Sequence, residues 1–472
     1  MEHIKTDICI IGAGSGGLSI AAGAVQMGAR VVLIEGGEMG GDCLNAGCVP
    51  SKALIAAAKQ AHGMRTGAGF GISPVEPEID FAMVKDHVAS VIAGIAPVDS
   101  QERFEGLGVR VLREWAKFSG PNEVTAGRYR VTARRYVIAT GSRPFVPPIP
   151  GIDTVPYLTN ETIFAQRERP EHLIVIGGGP IGMEMAQAHR RLGCKVTVVE
   201  AAKAFGRDDS EAATVVLQRM RDEGVDVLED APVVRVGGKD GAIDVEIKDG
   251  RIVTGSHLLV AVGRAVSLQG LGLKAAGVEH SRKGVTVGAD LRTTNRKIYA
   301  VGDAAGGLQF THVAGYHAGV VIRQMLFGLP AKSSNAHIPW ASYTDPELAQ
   351  VGPTEAEARK TYGDALKVVR FDFAENDRAQ AERKTDGFAK VMVVKGRPIG
   401  ATIAGAQAGE LIGLWAMAIA SKLKMGAVAG TVLPYPTLGE VSKRAAGAYF
   451  SPTLFDSPML KRVVGLVQRY LP

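Results

Sequence analysis

A chain of 472 residues is too long for one ordinary core, so two to four domains are expected. With 46% hydrophobic and 22% charged residues it is a globular protein, not a disordered or fibrous one. The net charge of +6 is spread along the chain without a dense basic block, which excludes nucleic-acid binding as its business.

The opening, MEHIKTDICIIGAGSGG, passes from a polar lead straight into a strand-like run, with neither a separate apolar core nor a small-residue cleavage site. No signal peptide is expected, and a cytoplasmic location follows. The segment DICIIGAGSGGLSIAAGAVQMGARVVLIE then reads as strand, Gly-rich turn, Ala-rich helix and strand. Gly12-x-Gly14-x-x-Gly17 has the spacing of a dinucleotide cradle. The first glycine makes the tight turn, the second admits a pyrophosphate, and the third lets helix and strand pack closely. The helix N-terminus faces the phosphates with unpaired N–H groups. Glu35 ends the next strand, where a carboxylate suits a ribose diol.

Gly40 to Lys52 reads GGDCLNAGCVPSK and leads into an apolar helix. Cys43 and Cys48 are separated by four residues, a loop that can bring two α-carbons within disulfide range. The helix N-terminus and nearby Lys52 would favour a reactive thiolate. The alternative, two unpaired buried thiols, suits this polar, Gly-rich setting poorly. Cys9 and Cys194, the other two of four cysteines, lie in or beside strand-like stretches and read as small buried hydrophobes. No disulfide framework is expected in a reducing compartment.

Tyr136 to Arg143 reads as a strand ending in a Gly turn, and the proline-rich Pro144 to Pro150 as a linker. HLIVIGGGPIGMEMAQAHRRLGCKVTVVE then repeats the first pattern, with Gly177-x-Gly179-x-x-Gly182 and Glu200 closing its second strand. An acid there accepts the free 2′-hydroxyl of NAD(H) and repels a 2′-phosphate, so NAD(H) is preferred to NADP(H), although Lys203 and Arg207 nearby soften the preference. LLVAVGR, with Gly263 and Arg264, and KIYAVGDAA are apolar strands ending at glycine. From about Ile338 the character changes: LKVVRFDF and GFAKVMVVKG read as antiparallel strands, followed by helices. The apolar run Leu411 to Ala420 is too short to span a bilayer and reads as a core helix. The tail, Ser457 to Pro472, reads as a basic amphipathic helix packed on its own protein, with membrane-surface contact as the lesser alternative. His312 and His317, in FTHVAGYHAG, read as capping or lining a helix, and no histidine has metal-ligand spacing.

The cysteine segment resembles the redox site of the pyridine nucleotide–disulfide oxidoreductases, usually GGTCLNxGCxPSK. Companion motifs follow in order over essentially the whole chain: Ala139-Thr140-Gly141-Ser142-Arg143-Pro144, GGGxIGxE ending at Glu184, Val301-Gly302-Asp303, and Tyr343-Thr344-Asp345-Pro346-Glu347. The resemblance implies an α/β fold with two Rossmann-like dinucleotide-binding domains and a C-terminal α+β dimerisation domain. Residues 1–148 and 271–337 would form the FAD-binding domain, 149–270 the NAD(P)-binding domain, and 338–472 the dimerisation domain. Cys43 would be the interchange thiol and Cys48 the thiolate against the flavin. Lys52 and Glu184 would pair beside flavin N5, and Asp303 would bind the ribityl chain. Gly41, Thr140, Gly141, Arg143, Gly263 and Arg264 join the glycine loops as cofactor-binding residues.

Two departures stand out. Asp42 replaces the family's common threonine, and its carboxylate opposes both a pyrophosphate and a thiolate. The His-Pro-Thr-x-x-Glu segment of thiol-reducing members appears as Tyr435-Pro436-Thr437-Leu438-Gly439-Glu440. A phenol near its reference pKa of ~10 is a poor proton acceptor at neutral pH, unlike imidazole near ~6.5. The tyrosine resembles mercuric reductase, yet the tail QRYLP lacks that family's cysteine pair. The expected activity is that of an FAD-dependent NAD(P)H oxidoreductase of the dihydrolipoamide dehydrogenase and mercuric reductase branch. It would act as a homodimer on a small or protein-bound disulfide or related acceptor. The alternatives are a metal-ion reductase, a quinone or oxygen reductase, and a flavoprotein subunit serving assembly or membrane-side electron delivery.

Overall fold

The computed structural model describes residues 1–471, and the chain divides into two compact units. One comprises 1–201 with 228–334; the other comprises 202–227 with 335–472.

The first unit contains two sheets with parallel cores, each organised around one glycine loop; the first is extended by the antiparallel strands Glu123–Ala126 and Ala116–Gly120. In the first, strands run in the order Arg110–Leu112, Val31–Ile34, Glu2–Ile11 and Tyr129–Ile138, with Ile298–Ala300 also paired to the last. Val31–Ile34 and the C-terminal ends of the next two strands, residues 8–11 and 136–138, are continuously buried, as expected where both faces are covered. Helix Ser15–Gln26 packs on this sheet and against helix Thr311–Phe327, with Leu18, Ile20 and Ala21 buried between the layers. The second sheet places His172–Ile176 between Lys195–Val199 and His257–Val260, all parallel. The proline-rich stretch after Ser142–Pro144 leads between the sheets, and that short strand pairs with Arg264–Val266. An antiparallel sheet, Val233–Lys239, Ala242–Ile247 and Ile252–Gly255, flanks the second parallel sheet.

Helix Phe81–Asp99, continued by Gln101–Gly106, is long and apolar enough by length and composition to cross a bilayer. It packs against helix Cys48–Arg65 and carries Lys85, buried with its ammonium donating to the Ile163 carbonyl at 3.0 Å.

The second unit is built on a five-stranded antiparallel sheet ordered Pro339–Ser342, Glu347–Val351, Arg397–Gly405, Phe388–Val394, Leu366–Asp372. Helix Ala408–Ala420 lies on it and buries Trp415, whose indole N–H donates to Ser442 Oγ at 3.0 Å. Helix Ser210–Asp222 belongs to this unit. Its cap, Asp209, accepts a 2.8 Å ion pair from buried Lys390, which also reaches Glu211 and Glu355.

The C-terminal helix, Pro458–Tyr470, leaves its apolar residues Met459, Val463, Val464, Leu466 and Val467 exposed on the single chain. Amphipathic periodicity identifies the helix and its apolar face but does not say what covers that face.

Candidate redox and nucleotide site

Each glycine loop is a close-packed joint between a strand and the following helix. A Cβ on Gly17 would lie 1.9 Å from the Gly12 carbonyl oxygen, and one on Gly182 would lie 2.0 Å from that of Gly177. Gly12 and Gly177 take φ of +107° and +112°, a region that favours glycine. Gly14 and Gly179 are the N-caps of helices Ser15–Gln26 and Pro180–Arg191. The acids close the loops: Glu35 accepts from the Ala13 amide at 2.6 Å and the Gly37 amide at 2.7 Å, and Glu200 accepts from the Gly178 amide at 2.7 Å.

Gly41 carries the first cradle over to the cysteines. A Cβ there would meet Gly14 Cα at 2.8 Å, so the two backbones meet with no side chain between them. This is the bare main-chain surface a pyrophosphate requires. Thr140 Oγ1 is buried without a hydrogen-bond partner among the described residues, a polar atom left for a ligand. Gly141 and Gly263 support the neighbouring turns through their carbonyls, which accept from Ser267 and Phe145 amides at 3.0 Å each. Arg143 reaches Gln269 at 3.4 Å. These features fit FAD at the first loop and a nicotinamide dinucleotide at the second.

Cys43 sits on a short helix, Gly41–Asn45, where the sequence suggested a loop, and Cys48 is the first residue of helix Cys48–Arg65. Neither is joined in a disulfide in this structure. The Cys48 thiol is brought down to about 6, first by a hydrogen bond from Cys43, then by one from Thr311 and by the Lys52 charge, against the cost of burial. Its sulfur lies 3.2 Å from Thr311 Oγ1. The same bond pushes the Cys43 thiol up, because Cys43 is then the donor and its proton is held between the sulfurs. One thiolate is thus stabilised at a helix N-terminus, where the dipole favours negative charge.

Lys52 and Glu184 meet at 2.8 Å, the carboxylate side chain only 6% exposed. Lys52 lies one turn beyond Cys48 on the same helix, and Glu184 lies one turn into the helix of the second glycine loop. The pair therefore ties the thiol helix to the second cradle.

Asp303, in the turn after strand Ile298–Ala300, accepts from Ser142 Oγ, and burial pushes its carboxyl up. Arg264 donates to Ser142 Oγ at 2.7 Å and pairs with Asp42 at 3.1 Å. The charge at Asp42 thus has a cation beside it. His317 is buried and its Nδ1 accepts from the Gly302 amide at 3.2 Å, while His312 stacks on Phe310. Sequence reasoning missed Thr311, Asn160 and Ser142 as neighbours of these groups. Thr311 lay in a segment where the histidines drew attention.

In the second unit, Tyr435 is 68% exposed and donates to Asp377 at 2.5 Å. That bond holds the phenol above its usual range, since losing the proton would set two anions face to face. Glu440 begins helix Glu440–Ala448. Among the described residues, no three His, Cys, Asp or Glu side chains gather as metal ligands.

Residues 6–318 match the family described as pyridine nucleotide-disulphide oxidoreductase, and residues 338–446 match its dimerisation domain. A mercuric reductase of Streptomyces lividans is 34% identical over 95% of this chain and 97% of its own length. A dihydrolipoyl dehydrogenase of Geobacillus stearothermophilus is 32% identical, covering 94% and 96%. Among solved structures, the Cu(II) complex of the HOCl-induced flavoprotein disulfide reductase RclA from Escherichia coli superposes with a TM-score of 0.83 at 29% identity, covering 93% of this chain and 99% of that one. By motif, fold and similarity, this chain belongs to the pyridine nucleotide-disulphide oxidoreductases, flavoprotein oxidoreductases that use FAD and NAD(P)H.

Proposed function

We propose that the protein is a homodimeric, NADH-preferring disulfide reductase in which Cys43 and Cys48 carry electrons to a small or protein-bound disulfide. The observation that supports this most is the asymmetry of the two thiols, one brought down to about 6 and the other pushed up by donating to it. Gly12, Gly14, Gly17, Glu35, Gly41, Thr140, Gly141 and Asp303 would hold FAD; Gly177, Gly179, Gly182 and Glu200 would hold the nicotinamide dinucleotide. Bound FAD would relay an electron pair from NADH to the cysteine pair. Glu184 holds Lys52 in place beside that relay. Cys43, once it loses its proton, attacks one sulfur of the acceptor disulfide and expels the other as a thiolate. Cys48 then displaces the second acceptor thiol and forms the Cys43–Cys48 disulfide, so two electrons leave the protein and two thiols are produced. Tyr435, its proton committed to Asp377 and its phenol held above the usual range, would supply no general base to this exchange. A cytoplasmic location suits this reading, since a dithiol pair that must be regenerated works in a reducing compartment.

A second reading is reduction of a thiophilic metal ion. It is favoured by Tyr435 and by the mercuric reductase and Cu(II)-complexed relatives. An acceptor screen with NADH separates the two. Turnover of low-molecular-weight disulfides that is lost in Cys43→Ser supports the first reading; turnover confined to Hg(II) or Cu(II) replaces it with the second.

A further inference from the structure

The residue that departs most from its family pattern inside the redox segment, Asp42, is also the most heavily tied. Its Oδ2 pairs with Arg264 at 3.1 Å, and its Oδ1 accepts from Asn160 Nδ2 at 3.0 Å. The same Asn160 amide donates to the Ala46 carbonyl at 3.0 Å, so one buried amide clamps both ends of the turn between the cysteines. The Ala46 amide returns to the Asp42 carbonyl at 2.8 Å. A Cβ on Gly47 would lie 2.9 Å from Asp42 Oδ2, which puts the carboxylate against the residue just before Cys48. Arg264 is itself held through Ser142 and is only 13% exposed, so this charge pair is screened less than a surface one.

We propose that Asp42 is a positioning residue: clamped by Arg264 and Asn160, it fixes the turn that carries Cys43 and Cys48 and holds a negative charge beside Gly47, the residue before Cys48, balanced by the guanidinium. The inference rests on the cysteine relay proposed above but can fail separately from it. The charged and titratable groups around Cys48 are Cys43 on the preceding helix, Lys52 on its own helix with Glu184 as partner, and Asp42 with Arg264. Of these, Asp42 alone opposes the thiolate without itself carrying the exchanged proton.

The test is the pH dependence of iodoacetamide alkylation at Cys48 in the reduced holoprotein, read by peptide mass spectrometry. Asp42→Asn removes the opposing charge, so the midpoint falls and alkylation at a pH below it rises about three- to tenfold, since each pH unit below a thiol pKa is about a tenfold change in thiolate. Arg264→Gln leaves Asp42 uncompensated and moves the midpoint the other way. The double variant lies close to the parent, and Asp42→Thr repeats the sign of Asp42→Asn if either mutant is poorly folded. Shifts of the same sign in both single variants, or none in either, overturn the proposal. Because alkylation needs no acceptor, a failed disulfide relay leaves this test intact.

Discussion

The two glycine loops make an internal comparison. Both pack a helix onto a strand through a glycine with no room for a Cβ, and both close with an acid on a loop amide. They differ in what lies beyond the cradle. At the first, the backbone of Gly14 meets Gly41 and passes directly to the cysteine pair. At the second, the helix continues for one turn to Glu184, which reaches across to Lys52. The cradles are thus alike, and what differs is the next turn of chain: a cysteine pair beyond the first and a buried carboxylate beyond the second.

The largest expected effect comes from removing the thiolate that only the first region has. Cys48→Ser should lower NADH-driven disulfide reduction by at least about a hundredfold, while direct electron transfer to an artificial dye persists. Loss of both activities would point to a folding defect.

The cradles themselves can be set against each other. Gly17→Ala and Gly182→Ala each force a methyl into a carbonyl oxygen, a cost of about 1–3 kcal/mol or more where the backbone cannot shift. Gly17→Ala should purify without FAD, whereas Gly182→Ala should keep FAD and lose nicotinamide affinity, measured by absorbance and by NADH titration. If Gly182→Ala lost FAD instead, the assignment of the loops would be wrong.

A smaller effect tests the link between the regions. Lys52→Met removes the ammonium that pairs with the buried Glu184 carboxylate, a change expected to cost up to about 3 kcal/mol after allowing for a lysine that is itself partly exposed. Thermal unfolding would show it, and reduction by NADH should slow. Glu184→Gln should cost less, since the carboxamide still accepts from Lys52.

The pH dependence follows from the thiol brought down to about 6. A thiol lowered in the folded state contributes stability above its unfolded pKa of about 8.5, and that contribution is lost as pH falls through about 6. Reactivity changes in the same direction, with alkylation of Cys48 falling about tenfold per unit below that midpoint. The smallest effect is at Tyr435. Tyr435→His should raise disulfide turnover modestly and add an ionisation near ~6.5 to its pH profile.

How much of this was legible follows from sequence distance. The cradles, their acids and the cysteine segment are local patterns, each within about two turns of helix or one strand–helix–strand unit, and period and spacing reveal them. The partners that set the chemistry are remote: Thr311 is 263 residues from Cys48, Asn160 is 118 from Asp42, and Asp377 is 58 from Tyr435. No spacing rule reaches across those intervals. The charge at Asp42 was visible as a problem, but its answer, Arg264, depended on how the turn after strand His257–Val260 meets strand Ser142–Pro144. The tail shows the same limit, since amphipathic periodicity marks an apolar face without specifying the surface that buries it.

The most direct test of the relay is an anaerobic titration of the FAD-loaded protein with NADH, following the visible spectrum of the parent and of Cys48→Ser. A long-wavelength thiolate–flavin absorbance appearing after one equivalent of NADH, and missing from Cys48→Ser, is the predicted result. Immediate bleaching of the flavin with no such absorbance in the parent would contradict the relay and leave the cysteines outside the electron path.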